Sequence, residues 1–485
     1  MTLGHHATAG AAIGLCAVLL PACCGKKQDA PQARWVASLE TARGTEAEAH
    51  GVVIDAQGNV YATGHFRGTI GLCGKPIQSA PATSPEKDDM FLVKLGSDGK
   101  CQWLKSFRRA AGTAVALDAD QNVVVTGKLH EQVDFGGGKI GPESWSTRMF
   151  LASFDPAGAH RWSRAYGERH VSIAEHIAIG GAGQIVVAGT YVTKLDVGTP
   201  RIDRQGNPSA GFIAQFDATG TPQWSLALGD GLSGDPYVAV EASGHVLVAG
   251  AFGGELNLGG DTFKSTKPNP SAPKPVVKLD GGRLRRDIFV AKLDASGNHV
   301  WSHSYGDEED QIANGIDVDE TGRVYLLGTV AGTVNLGDGP RTGSNGGTLV
   351  AALHPDGRCA WSKRFGNRVL VFFGGDTAPR ALRATANGVI IAGRVSGSVD
   401  FGGGSLGGDR DHGYVVALDR DGGHRWSMAL KSSMDAFTYD ASVGPAGNVA
   451  LAGFFHSDAE LGGKRATSVT AWKDSDAFVA SFSDR

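Results

Sequence analysis

DIFVAKLDASGNHVWSHSYGDEEDQIANGIDVDETGRVYLLG, residues 287–328, is the stretch from which the fold can be read. Phe289, Ala291 and Leu293 alternate with Val290 and Lys292, a period of two that specifies a strand. The turn phrase DASGN follows, then a segment opening near Trp301. A third apolar stretch ends at Asp319, and after the turn DETG a fourth ends at Gly328. Four strands separated by turns therefore make one unit.

The unit recurs along the chain. Its second strand reads NVYATG at Asn59, NVVVTG at Asn122, QIVVAG at Gln184, HVLVAG at His245, RVYLLG at Arg323, VIIAG at Val389 and NVALAG at Asn448. Its third reads DMFLVKL at Asp89, MFLASF at Met149, GFIAQF at Gly211, DIFVAKL at Asp287, TLVAAL at Thr348, GYVVAL at Gly413 and DAFVASF at Asp476. Its fourth carries Trp35, Trp103, Trp162, Trp224, Trp301, Trp361 or Trp426, while Trp145 and Trp472 stand outside the series. β-Branched and aromatic residues crowd the strands, and many of the 71 glycines collect in the turns. No helical period is seen beyond the first 22 residues.

Seven four-stranded units predict an all-β, seven-bladed β-propeller. The last unit stops at its third strand, Ala477 to Phe482, and an unpartnered fourth strand, WVASL, starts at Trp35. The N-terminal strand is thus expected to join the last blade and close the ring, removing an exposed edge. Residues 35–485 exceed the usual size of one domain, yet blades packed on blades accommodate them as one.

Residues 1–22 read as a leader. AGAAIGLCAVLL, from Ala9 to Leu20, is too short to span a bilayer as a mature helix. Leu20-Pro21-Ala22-Cys23 is similar to the lipobox of bacterial lipoproteins, which implies that Cys23 becomes the lipidated first residue, with 23–34 as a tether. Residue 24 is Cys rather than Asp, so the enterobacterial inner-membrane retention signal is missing and an outer-membrane destination is expected. The eleven residues from Cys24 to Arg34 reach at most about 36–40 Å. The strand they lead to starts beside the short turns, so the face bearing those turns is expected to lie towards the membrane.

At the repeated phrases the chain resembles the SBBP-type bacterial β-propeller repeats of myxobacterial extracytoplasmic proteins, over residues 35–485. QVDFGGG at Gln132, SVDFGGG at Ser398, TVNLGDG at Thr333 and ELNLGG at Glu255 match that family's linker between second and third strands. The resemblance implies a fold and little agreed biochemistry. LDASGNHVW at Leu293 and FDATGTPQW at Phe216 also resemble the tryptophan-docking phrase of quinoprotein propellers, which implies a blade-packing role for the seven tryptophans. Cofactor ligands of a quinoprotein enzyme are not found.

The exported compartment permits disulfides. Cys73 and Cys101 share one blade and are the expected pair, with Cys359 unpaired. Asp118-Ala-Asp120-Gln-Asn122 and Asp317-Val-Asp319-Glu-Thr-Gly322 superficially resemble calcium loops but lack the bidentate Glu at the twelfth position. They read as tight turns, and Asp307-Glu308-Glu309-Asp310 as a solvated loop. No cofactor and no metal is expected, calcium being the ion weighed against these turns. The fifteen histidines show no HExxH spacing, with His170 and His176 read as loop residues. No GxSxG elbow leading into a helix is found, and Phe135-Gly-Gly-Gly138 lacks the Lys-Ser/Thr and helix of a phosphate loop.

Turns between first and second and between third and fourth strands are short, as in Ala56-Gln-Gly58 and Ser97-Asp-Gly99, whereas the other connections vary. The variable connections share one face, including the Asp261–Arg286 excursion, rich in Pro, Lys and Arg. Val369-Leu-Val-Phe-Phe373 reads as a buried connector or an apolar patch. The expectation is a monomeric, lipid-anchored, non-enzymatic binding or scaffolding module that meets an envelope protein or glycan through its variable face. A formal net charge of −4 argues against a nucleic-acid partner. The alternative is a propeller enzyme, a polysaccharide lyase, hydrolase or quinoprotein type, with a central pocket. Charged and aromatic residues converging on the axis favour that alternative, and an open polar axis favours the binder.

Overall fold

The computed structural model describes residues 30–41, 46–79, 88–143, 146–167, 171–198, 202–203, 210–228, 235–265, 286–366, 378–467 and 474–484. Cys23 and the leader, Trp145, Trp472, His170, Val369–Phe373 and most of the Asp261–Arg286 excursion lie outside them.

Seven four-stranded antiparallel sheets form the blades. Blade 1 comprises Glu46–Ile54, Val60–Arg67, Asp89–Leu95 and Cys101–Phe107, from axis to rim. The inner strands of blades 2 to 7 are Ala110–Leu117, Ser172–Ile179, Tyr237–Val240, Gln311–Val318, Ala378–Thr385 and Ala436–Val443. Each inner strand contacts that of the next blade, and the seventh contacts the first. The ring is closed. In blade 7, Asn448–Phe455 and Asp476–Ser483 are followed at the rim by the N-terminal strand Ala33–Ser38, with Ala33 opposite Phe482 and Ser38 opposite Phe478. Leu39 beyond it is buried, and the chain then enters blade 1.

The period of two has a consequence peculiar to a propeller. Both faces of a blade are covered, so alternate residues enter two different cores. Phe91, Val93 and Leu95 pack with Ala450, Ala452 and Val479 between blades 7 and 1, whereas Met90 and Leu92 pack with Val123, Val125 and Phe150 between blades 1 and 2. Seven apolar clusters of this kind each fill one interface between neighbours. A fully buried residue such as Phe91 contributes about 1.5–3 kcal/mol.

The tryptophans tie blade to blade at the short-turn end. Trp35 Nε1 donates to Ser97 O at 3.0 Å, Trp103 to Pro156 O at 3.3 Å, Trp224 to Ala295 O at 3.1 Å, Trp301 to Pro355 O at 3.0 Å and Trp361 to Arg420 O at 2.7 Å. Every acceptor lies in the turn between third and fourth strands of the next blade. Trp162 lies against the equivalent turn at Gly220. These turns need glycine for two reasons: Gly297 has φ of 83°, and a Cβ there would lie 2.8 Å from Trp224 Cδ2. Asp294 Oδ1 fixes the same turn by accepting from Ser296 N and Asn298 N at 2.8 and 2.9 Å.

The connections between second and third strands differ from expectation. Rather than extending from the variable face, their described parts form hairpins that fold back along the rim. The glycine tips rest on a histidine that opens the outer strand: a Cβ at Gly137 would lie 2.3 Å from His160 Cε1, at Gly260 2.4 Å from His299 Cε1, and at Gly403 2.2 Å from His424 Cε1. Each ring is held by a serine three residues on, Ser163, Ser302 or Ser427. These histidines are packing residues.

Candidate functional site at the propeller axis

The glycine that closes the repeated second-strand phrase lies inside the strand and builds the centre of the molecule. A Cβ at Gly64, Gly127, Gly189 or Gly453 would lie 1.9–2.0 Å from a carbonyl oxygen of the inner strand, at Glu48, Ala111, Ile173 and Phe437 respectively. Opposite this glycine the inner strand carries one extra residue, a β-bulge. The register steps from Ala49 to Gly51, leaving His50 unpaired, and equivalent steps leave Thr113, Glu175, Asn314, Arg380 and Tyr439. In blade 4 the described inner strand begins directly after this point, at Tyr237. A bulge breaks the alternation and re-aims one side chain. Here all six bulge residues, with Tyr237, line one axial cavity enclosing about 1060 Å³ of space continuous with solvent.

The repeat thus keeps the frame and varies the side chain. Around the axis stand His, Thr, Glu, Tyr, Asn, Arg and Tyr, a ring that hydrophobic packing does not require. His50 stacks on Tyr439 with centroids 4.7 Å apart, and His176 lies 4.1 Å from Tyr237. Deeper, Arg383 Nη2 pairs with Asp440 Oδ1 at 2.6 Å, and Asp317 Oδ2 accepts from Ala384 N at 2.8 Å. At the end away from the short turns, His65, Lys128 and Asp235 join the lining. Among the described residues neither Lys128 nor Arg380 has an ion-pair partner, and Arg380 is exposed to the cavity.

Burial shifts several of these groups. Glu175 is pushed up to about 7 by burial and by the neighbouring Asp235 carboxylate, with Lys128 opposing. Asp235 is itself raised by burial, against Arg380. Burial drives His176 down to about 3, helped by Arg383, and drives His65 down to about 4, helped by His50. At neutral pH His65 and His176 are therefore uncharged and Glu175 is about half-protonated.

The residues singled out in the sequence fall elsewhere, with two exceptions. Cys73 and Cys101 form a disulfide near the rim of blade 1, and Cys359 is free and half-buried. Asp118 Oδ1 accepts from Asp120 N and Asn122 N, and Asp319 Oδ1 from Thr321 N and Arg323 N, while Oδ2 of each accepts from an arginine, Arg161 and Arg420 respectively, so both carboxylates are spent on structural contacts. Asp307 is half-buried rather than solvated: Oδ1 accepts from Glu309 N and Gln311 Nε2, and Oδ2 from Thr333 N. His176 belongs to the inner strand of blade 3, not to a loop. His176 and Asp317 are the exceptions, since both line the axial cavity. Sequence reading missed His50, His65, Glu175, Arg380 and Tyr439. The signal was the glycine of the second-strand phrase, because it faces the bulge of the inner strand and the bulge marks the axis.

No family model matches the chain, and no curated protein does. Several solved propellers are similar in fold. The WD40 domain of Neurospora crassa Pan2 is 10% identical, covers 93% of this chain and 97% of its own, and has a TM-score of 0.42. The C-terminal WD40 domain of Sif2 is 11% identical over 93% and 99%, at 0.40. A PL25 polysaccharide lyase, an ulvan lyase, is 8% identical over 88% and 92%, at 0.41. These likenesses carry no functional argument, and the propeller assignment rests on the strand pairing itself.

Proposed function

We propose that the protein is a binding module that takes an anionic group into its axial cavity from the face opposite the short turns. The observation that carries this is the ring of six bulge residues around one cavity open to solvent, where Arg380 and Lys128 form no salt bridge among the described residues and the carboxylates that act on them, Asp235 and Glu175, are both raised by burial. Polar groups gathered away from bulk water cost free energy unless something satisfies them, and a ligand bearing a carboxylate, phosphate or sulfate would do so. Flanking rings of Tyr439, His50 and Tyr237 suit a sugar or another flat, hydroxylated face beside that charge. An acidic glycan is the ligand class this chemistry fits best.

A screen of acidic against neutral oligosaccharides, followed by calorimetry, tests the reading. Arg380→Ala should weaken binding tenfold or more, since a charge-assisted hydrogen bond is worth about 1.5–3 kcal/mol. Acidic ligands that bind equally to wild type and to a Lys128→Ala/Arg380→Ala variant would overturn it.

The convergence of charged and aromatic residues on the axis, with the raised Glu175 beside Asp235 and Tyr237, favours a second reading, a central-pocket enzyme in which Glu175 exchanges a proton with the substrate. Release of reducing or unsaturated ends from an acidic glycan by wild type, lost in Glu175→Gln, would support it. A bound glycan recovered intact would leave the protein a binder.

For cellular position, we propose lipidation at Cys23 and attachment to the outer membrane, supported by the lipobox-like Leu20–Cys23. Ala33 lies opposite Phe482, and Trp35 reaches Ser97 in a short turn, so the first strand starts on the short-turn face. A tether from Cys23 would hold that face towards the lipid, with the anion-binding mouth away from it.

A further inference from the structure

On the wall of the axial cavity, blade 1 brings together three side chains whose donor atoms converge on one point. Glu48 and the bulged His50 come from the inner strand, and His65 comes from the second strand, directly opposite Glu48. His50 Nε2 lies 3.1 Å from His65 Nδ1 and 3.4 Å from Glu48 Oε2, and all three ligand atoms fall within 4.8 Å of one another. We propose that Glu48, His50 and His65 form a site for a divalent transition-metal ion of the zinc class. The inference stands on these residues and does not depend on the anionic-ligand reading.

The distances are those an ion would need. Zinc holds imidazole nitrogen and carboxylate oxygen at about 2.0–2.2 Å, so tetrahedral ligand atoms lie about 3.3–3.5 Å from each other. Two of the three separations in the empty cluster are already close to that spacing. The donor set, two imidazoles and one carboxylate, suits zinc rather than calcium or magnesium, which prefer oxygen alone.

A second layer of contacts has the form that metal sites use to aim their ligands. His65 Nε2 faces Asp88 Oδ2 at 3.7 Å, and Asp88 is in turn held by Arg67 Nη2 at 2.7 Å. Tyr439, from blade 7, donates its hydroxyl to Glu48 Oε2 at 3.1 Å while its ring lies against His50. The carboxylate and both imidazoles are therefore oriented by groups outside the cluster. His50 and His65 lie nearly parallel, 19° apart, so their in-plane lone pairs must turn towards each other as the ion enters.

Three protein ligands leave a tetrahedral ion with one open position. Because His50 and His65 both line the cavity, that position would face the axis and present a water or an oxygen of a bound molecule. The sequence gives little hint of the trio, since Glu48 and His50 are two apart and His65 lies in another strand.

The full folded chain, stripped with a chelator and dialysed, should take up one zinc ion per molecule in calorimetry. Cobalt(II) in its place should give the intense visible absorption of a four-coordinate nitrogen–oxygen site. His65→Gln and Glu48→Gln, which preserve the bulge, should each weaken binding at least 100-fold, and Asp88→Asn about 10–100-fold. Circular dichroism of each variant establishes that it has folded. Absence of stoichiometric uptake by the stripped wild type would overturn the site, as would zinc binding unchanged in both His65→Gln and Glu48→Gln.

Discussion

Trp426 donates its indole N–H to the Asp484 carboxylate at 2.7 Å, where five of the other tryptophans use a backbone carbonyl of the next blade. The cause is topological. Trp426 faces blade 7, whose third and fourth strands come from opposite ends of the chain, so no tight turn links them and no turn carbonyl is on offer. Asp484, just past the third strand, takes its place and also accepts from Arg425 Nη1 at 2.9 Å.

Asp484→Ala should therefore cost about 2–4 kcal/mol in urea denaturation, because it strands a buried indole N–H and a nearly buried guanidinium. Asp484→Asn, which keeps an acceptor for Trp426, should cost less. Equal losses would show that the charge with Arg425, rather than the bond to the indole, is what matters.

A glycine that shapes the axis should be intolerant of a methyl group, whereas one in open space should not. Gly64→Ala places Cβ 1.9 Å from the Glu48 carbonyl oxygen and must displace the bulge that carries His50, for a loss of about 2–3 kcal/mol. Gly181→Ala meets nothing within 4 Å and should change stability by less than about 0.5 kcal/mol. A Gly64→Ala protein with an unshifted melting curve would contradict the bulge.

Glu175 gives the protein a pH dependence with a definite sign. Its folded value of about 7 lies above the ordinary 4.5, so the folded chain binds more protons in that window and this carboxyl lowers stability as pH rises through it. Glu175→Gln removes the effect. The variant should gain on wild type progressively between pH 4.5 and 7, by at most about 3 kcal/mol, and by a constant amount outside that range. Parallel stability profiles across the window would mean that the carboxyl is not perturbed.

The anchor proposal is tested in cells by fatty-acid labelling. Cys23→Ala should abolish incorporation of label and move the protein from the detergent phase to the aqueous phase. Label that persists on the variant would transfer the attachment to another residue or exclude it.

Much of the fold was legible in the chain because a propeller is built from local rules. Each four-stranded sheet follows from alternation and turn chemistry within one unit, as between Asp287 and Gly328, and pairing across the first and last residues follows from counting strands. The path of the second-to-third hairpins was not legible. Whether the tip at Phe135-Gly-Gly-Gly138 projects or folds back depends on its contact with His160, more than twenty residues later.

The sequence by itself determined strand identity, unit number, the tight turns and the glycine that closes the repeated second-strand phrase, since these depend on neighbours a few residues away. Tertiary structure decided what that glycine is for. Residues 50, 113, 175, 314, 380 and 439 lie in inner strands most of which carry other polar residues as well, and nothing local distinguishes them from a solvated position. They become a site because ring closure, which brings the inner strand of blade 7 against that of blade 1, points six bulges at one axis. His50, His65 and Tyr439 illustrate the difference: their contacts span 15 and 389 residues of chain, and only packing enforces such distances.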